Sequence, residues 1–292
     1  MTNKYFKYLL LAPALLILGT ITMFPLIRSF WISLHEWNLT DSLEMGEFVG
    51  IDNYLQAMSS SGFWNSVTVT LTFTVATVFI TIASAIAVGL LLSKEKPYIS
   101  FLRAVLIIPF ALSPALVGYS WRFMLNPDYG LFDRIIGFLI PPLSDVVILG
   151  TPTTALAALV SVAVWIWLPF ISLMFISGLM GLPNEVYEAA KMDGASNMQI
   201  LFRVTLPMLQ PIILIASILM TMFSLKQFDP IVTMTSGGPG NSTEVLNFLI
   251  YSTSFRYFDM GYGAALGYIL AIMTIGFVLI YMRRLVKGGE WN

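Results

Sequence analysis

The sequence has no cysteine, a single histidine and few charges, with 11% of its 292 residues being Asp, Glu, Lys or Arg. Each shortage excludes something. Without cysteine there is no disulfide, no thiolate zinc site and no cysteine nucleophile. His35 has no second His or Cys with which to hold a metal, so a solvated or interfacial side chain is expected there. A formal net charge of −1 gives no field that would gather nucleic acid, and no basic stretch is long enough to track a phosphate backbone. No G-x-x-x-x-G-K-[ST] run occurs, so the chain carries no P-loop of its own. No paired nucleophile and base is visible either, which disfavours an intramembrane enzyme.

What the sequence has in excess is apolar surface. Hydrophobic residues make up 57% of it and the mean hydropathy is +0.82, too little polar surface to cover a soluble domain of this length. A polytopic membrane protein is expected. A bilayer core of about 30 Å takes about 20 apolar helical residues, and six segments qualify: 8–34, 66–92, 104–124, 154–180, 206–227 and 263–282. The first follows Lys4 and Lys7, is too long for a signal peptide and has no A-x-A site after it, so an uncleaved span is expected. Pro13, Pro25, Pro109, Pro114, Pro169 and Pro211 fall inside these segments and predict bent helices.

Threading the six spans from an inner N-terminus places Lys4, Lys7, Lys94, Lys96, Arg103, Lys191, Arg203, Arg283, Arg284 and Lys287 on the cytoplasmic side. Both termini are then cytoplasmic by the positive-inside bias. The first outer loop agrees, carrying Glu36, Asp41, Glu44, Glu47 and Asp52 and no Lys or Arg. Small residues recur at spacing four in the second span (Ala83 and Ala87, Ala85 and Gly89) and the sixth (Gly263 and Gly267). They suit close helix packing, either within this chain or against a second membrane subunit.

The cytoplasmic segment 181–205 is the most polar long run. Pro183 suits a helix start, EVYEAAKM continues with good helix formers, and Gly194 supplies a left-handed C-terminal stop. Ser196 and Gln199 then form a capping box that starts a second helix running into the fifth span. The predicted element is helix, glycine turn, helix. Helices this short need something to pack on: the ends of spans four and five, or a groove on another protein entered by Val186, Ala189 and Ala190, with Glu188 and Asp193 at its rim.

Two sets of side chains suggest a solute route. Trp165, Trp167 and Phe170 lie too deep in span four for an interfacial aromatic belt, and aromatic faces suit sugar C–H surfaces. Trp165 and Trp167 sit about 200° apart on a helix, so both cannot face one route, and packing is an equal alternative for either. In the fifth span Phe223, Ser224 and Gln227 end an apolar run, and intramembrane polar groups face a bundle interior or water. Lys226 and Arg28 are compatible with an anionic solute or with snorkelling to the outer interface.

The run EAAKMDGASNMQILFRVTLP resembles the EAA signature of ABC importer permeases, through Glu188, Ala189, Ala190, Gly194, Val204, Leu206 and Pro207, with Val204 standing where Ile is commonest. The opening APALLILG and MFPLIRSFWISLHEWN, then FVGIDNY, RAVLIIPFALSPALVGYSWRFMLNPDYG and FDPIVTMTSGGPGNSTEV, are similar to the first permease subunit of carbohydrate uptake systems of the maltose and glycerol-3-phosphate type. The resemblance implies an all-α membrane protein of the type I importer permease fold, spanning residues 1–292 as one domain in a bacterial or archaeal cytoplasmic membrane. It implies a second homologous permease subunit, two cytoplasmic ATPases that bind ATP and magnesium in place of any cofactor here, an extracytoplasmic solute-binding protein and a carbohydrate substrate. Under it, Glu188, Ala189, Ala190, Asp193 and Gly194 make the coupling contact with an ATPase. Sugar contacts fall on Phe223, Ser224 and Gln227, and Gly237, Gly238, Pro239 and Gly240 lie on the binding-protein side. The competing reading is a stand-alone secondary transporter or channel for a small polar solute.

Overall fold

A computed structural model describes residues 6–94, 96–143 and 146–289. The elements, in chain order, are α1 (Phe6–Ser33), α2 (Asp52–Ser59), α3 (Ser61–Leu92), α4 (Pro97–Leu106), α5 (Ile108–Ala111), α6 (Pro114–Met124), α7 (Leu131–Leu139), α8 (Pro152–Met180), α9 (Asn184–Met192), α10 (Asn197–Ile200), α11 (Leu206–Met208), α12 (Gln210–Leu225), α13 (Leu246–Phe255) and α14 (Met260–Gly289). Single π-helical turns occupy Leu201–Thr205 and Ile231–Thr235. The described residues contain two isolated β-bridges and no strand. Of the basic residues that set the expected orientation, Lys4 lies outside the described residues, as do the side chains of Lys7 and Lys287.

Among the described residues, four helices are long and apolar enough to cross a membrane: Leu10–Ser33, Ser61–Leu92, Pro152–Met180 and Met260–Arg284. Two further candidates are broken. Where one helix was expected over 104–124, Pro97–Ala111 and Pro114–Met124 meet at 93°. Leu112 and Ser113 between them are extended, because a residue before proline is pushed out of the helical region while Pro114 is well suited to a first helical position. The expected run from the capping box into the fifth span is likewise bent by 67° between Asn197–Met208 and Gln210–Leu225. Pro211 has no N–H to return to the preceding turn, and the bend falls on the fully buried Leu209.

Contacts divide the chain into two units, residues 1–64 with 249–271 and residues 65–248 with 272–292. In the first, α1 exposes apolar side chains along its length, and none of its best spanning window is buried. The loop after it is pinned by backbone and side-chain bonds. Asn53 Nδ2 donates to the carbonyls of Ser33 at 2.9 Å and His35 at 3.0 Å, and the hydroxyls of Ser33 and Tyr54 are hydrogen-bonded at 2.7 Å. Of the two expectations for His35, solvated or interfacial, the solvated one does not hold. The residue is 7% exposed, its Nδ1 lies 2.7 Å from the Trp31 carbonyl, and its ring packs on Trp31 and Phe48. Burial on aromatic neighbours, which follows from the fold of the loop, overrode its polar sequence context.

The second unit has a core built by α3, α8 and α12: Ala85, Ile171, Phe175, Leu209, Ala216 and Met220 are fully buried together. Gly89 belongs to the same contact, since a Cβ there would meet Phe175 Cβ at 3.1 Å and Leu179 Cδ1 at 3.2 Å. The pair Ala85 and Gly89 thus serves packing within this chain, whereas Ala83 and Ala87 face outward.

Candidate functional site

Apart from Arg28, which lies in the first unit, the side chains singled out in the sequence for coupling or solute passage belong to the second unit, where all but Trp165 fall in three separate places.

The first is the helix–turn–helix of 184–200. Helix α9 ends in a complete Schellman arrangement: Ala195 N–H bonds the Ala190 carbonyl and Gly194 N–H the Lys191 carbonyl, both at 3.0 Å, with Gly194 at φ +76°. A side chain there would be strained, although the space around it is open. Two residues on, the capping box is formed in both directions: Ser196 N–H donates to Gln199 Oε1 at 2.7 Å, and Gln199 N–H to Ser196 Oγ at 3.4 Å. The turn is fixed from both sides. Its inner side is held by Leu182, which packs on the core, and by the Tyr187 hydroxyl 3.2 Å from Thr205 Oγ1. Thr205 is buried and bonds back to the Ile200 carbonyl five residues earlier, at 3.3 Å. The sequence reading missed Tyr187 and Thr205; a tyrosine inside a run of Glu, Ala and Lys was the available signal.

Glu188, Ala189, Asp193 and Gly194 are exposed and Ala190 is half-buried. Beside them Met192 is 88% exposed and Met198 and Phe202 are also uncovered. A rigid, mixed acidic and apolar surface of this kind carries no bond-making chemistry. It can bind another protein.

The second place is an aromatic cluster. Trp167 and Phe170, three residues apart on α8, share a face with Phe223 of α12 and Phe110 of α5. Trp167 and Phe223 stack at 4.0 Å between centroids and 8° between planes; Phe110 and Phe170 stack at 5.1 Å and 14°. Edge contacts of 5.8 Å (Phe110–Trp167) and 6.5 Å (Phe170–Phe223) close the group. Phe110 was missed from sequence because only the break at 112–113 carries α5 onto α8. Trp165 is not in this cluster. It lies 5.9 Å from Trp121 and lines a different cavity, of about 260 Å³, with Leu116 and Phe132.

Ser224 and Gln227 are buried, at 3% and 7% exposure, while Lys226 between them is exposed. Trp167 Nε1, Ser172 Oγ and Ser224 Oγ are buried without a hydrogen-bond partner. A buried donor left unmade costs about 1–3 kcal/mol, so these three atoms are places where a solute hydroxyl or water gains a bond at little cost to the protein.

The third place is the turn of 236–245. Gly237 (φ +86°), Gly240 (φ +54°), Ser236 (φ +50°) and Asn241 (φ +65°) are all left-handed. Thr243 ties the turn shut, donating to Thr235 Oγ1 at 2.8 Å and lying 2.7 Å from the Gly238 carbonyl. The start of the long α3 helix anchors it from outside: Asn65 Nδ2 donates to the Asn241 carbonyl at 2.9 Å and Ser66 Oγ to Glu244 Oε1 at 3.1 Å. Burial pushes the Glu244 carboxyl above the ordinary glutamate value, partly opposed by the Ser66 hydroxyl. Of the four residues expected to face outward, Gly240 is exposed at the tip, Gly238 and Pro239 are half-buried, and Gly237 is buried against Phe248. Among the described residues no group of three or more His, Cys, Asp or Glu is placed to hold a metal ion.

The model of a family described as the binding-protein-dependent transport system inner membrane component matches residues 55–288. The chain is 35% identical over 279 residues to the trehalose/maltose transport system permease protein MalF of Thermococcus litoralis, covering 94% of this chain and 92% of that one. It is 32% identical to the sulfoquinovosyl glycerol transport system permease protein SmoG of Agrobacterium fabrum (96% and 90% covered) and 28% identical to the trehalose transport system permease protein SugA of Mycobacterium tuberculosis (99% and 92%). In fold it is similar to a chain of a bacterial alginate ABC transporter solved in complex with its alginate pentasaccharide-bound periplasmic protein, with TM-score 0.80, 20% identity and 95% and 92% coverage.

Proposed function

Because this chain belongs to the family of binding-protein-dependent transport system inner membrane components, we propose that it is the membrane-spanning permease subunit of an ATP-driven importer of a sugar or oligosaccharide, fed by a solute-binding protein. It is a multi-pass membrane protein, and a permease subunit of this kind is not itself a catalyst. The carbohydrate class rests on relatives named for trehalose, maltose and sulfoquinovosyl glycerol transport. The aromatic cluster supports it, because stacked rings beside unpaired donors match the alternating C–H faces and hydroxyls of a sugar.

In this reading both termini and the turn around Gly194 are cytoplasmic, and the turn of 236–245 faces the binding protein. ATP and magnesium are held by two partner ATPases, a second permease chain completes the route, and Glu188, Ala189, Ala190, Asp193 and Gly194 meet an ATPase. The observation that carries the coupling role is the turn itself, fixed by a Schellman motif before it and a capping box after it while its outer face is left uncovered. A rigid joint transmits a push; a flexible linker absorbs it. Closure of the ATPases would then favour one arrangement of the spans by its differential affinity for the two. In the route, Trp167, Phe170, Phe223, Ser224 and Gln227 contact solute as the cluster opens.

Vesicles holding this chain alone should show neither ATP hydrolysis nor sugar uptake. Vesicles with both permeases, the ATPase and the sugar-loaded binding protein should show both. Uptake by the single chain driven by an ion gradient would replace this reading with that of a secondary transporter.

A further inference from the structure

In the first unit, Arg28 lines an open cavity of about 410 Å³ with Phe24, Trp31, Trp37, Leu43 and Met45. Arg28 makes no hydrogen bond or ion pair with any described residue, although the loop that forms part of the wall is acidic. The Trp31 indole N–H is likewise not bonded to any described residue, while that of Trp37 is used by the Ser42 carbonyl at 3.3 Å. The cavity therefore offers a permanent guanidinium charge and a second N–H donor above an apolar floor.

The position narrows the ligand. Arg28 stands in the last two turns of α1, five residues from Ser33, and the helix below it is a largely apolar surface with Leu15, Leu16, Leu18, Ile21 and Ile27 exposed. Tryptophan at a helix end marks the boundary of hydrocarbon and headgroups, and arginine reaches from there toward phosphate depth. Guanidinium recognises phosphate oxygens through a bidentate fork, which lysine or a neutral side chain cannot copy. We propose that this cavity is a binding site for the phosphate headgroup of an anionic phospholipid in the outer leaflet, held by Arg28 and Trp31 with its acyl chains along α1. The inference rests on the outward placement of the end of α1 in the function proposed above, but its test does not depend on transport.

The assembled transporter, purified in discs of equal phosphatidylglycerol and phosphatidylcholine, should retain phosphatidylglycerol in native mass spectra with a preference of about tenfold. Arg28→Gln should abolish the preference, Arg28→Lys should keep part of it, and Arg134→Gln, which removes a surface cation elsewhere, should leave it unchanged. Glycerol phosphate in solution should not displace the lipid; displacement at millimolar levels would show a soluble phosphate site and overturn the proposal. So would equal retention of the two lipids, or an Arg28→Gln variant that keeps its lipid but loses the second permease chain, which would make the cavity a protein interface. Sugar uptake recorded on the same samples separates failure of this site from failure of the permease reading.

Discussion

Trp167 and Phe223 lie ring on ring, 4.0 Å between centroids and 8° from parallel, and so join α8 to α12 against the core of the second unit. A stack this close is worth about 0.5–1.5 kcal/mol beyond its burial. It also covers faces that a sugar would otherwise use, so the arrangement in hand is one in which those faces are occupied by each other.

Replacing Trp167 by Leu should therefore lower uptake by about tenfold or more, whereas Trp165→Leu should change it little, because Trp165 packs on Trp121 in a separate cavity. Initial uptake rates in reconstituted vesicles check this. Equal losses for both would place the route elsewhere.

Phe223→Leu combined with Trp167→Leu should show coupling in a double-mutant cycle of unfolding, of about 1 kcal/mol. Additive effects would mean that the two rings meet without mutual stabilisation.

Gly194→Val should leave the chain inserted and folded but weaken stimulation of the partner ATPase by loaded binding protein, since a β-branched residue at φ +76° is strained by more than about 1 kcal/mol. Glu188→Lys should weaken it by reversing the charge of an exposed face. ATPase rates and uptake measured in the same vesicles decide the matter, and full stimulation in both variants would reduce the turn to a linker.

Tyr187→Phe removes the bond to Thr205 and should cost about 1 kcal/mol locally. Amide exchange of residues 184–200 should quicken in this variant while that of the α8 core stays slow.

Glu244 gives a pH dependence. The unfolded chain loses this proton at the ordinary glutamate value and the folded one holds it to higher pH. Between those two values the folded state binds more protons, so stability falls as pH rises through the window and is flat on either side. Glu244→Gln should remove that decline, as read by thermal unfolding between about pH 4 and pH 7.

What the sequence determined by itself was local. The left-handed Gly194 and the reciprocal bonds of Ser196 and Gln199 depend on chain neighbours within about five residues, and such geometry is written in consecutive side chains. The four unbroken apolar helices among the described residues were equally legible, because crossing hydrocarbon is a property of a single helix. Tertiary structure decided the rest. That Trp167 joins Phe110, Phe170 and Phe223 while Trp165 joins Trp121 follows from where the α5 break and the bend at Leu209 carry distant helices. Likewise the burial of His35 and Gln227 depends on neighbours supplied by other parts of the fold. No rule of period or propensity contains that information, since burial belongs to an assembled surface and not to the residue that ends up beneath it.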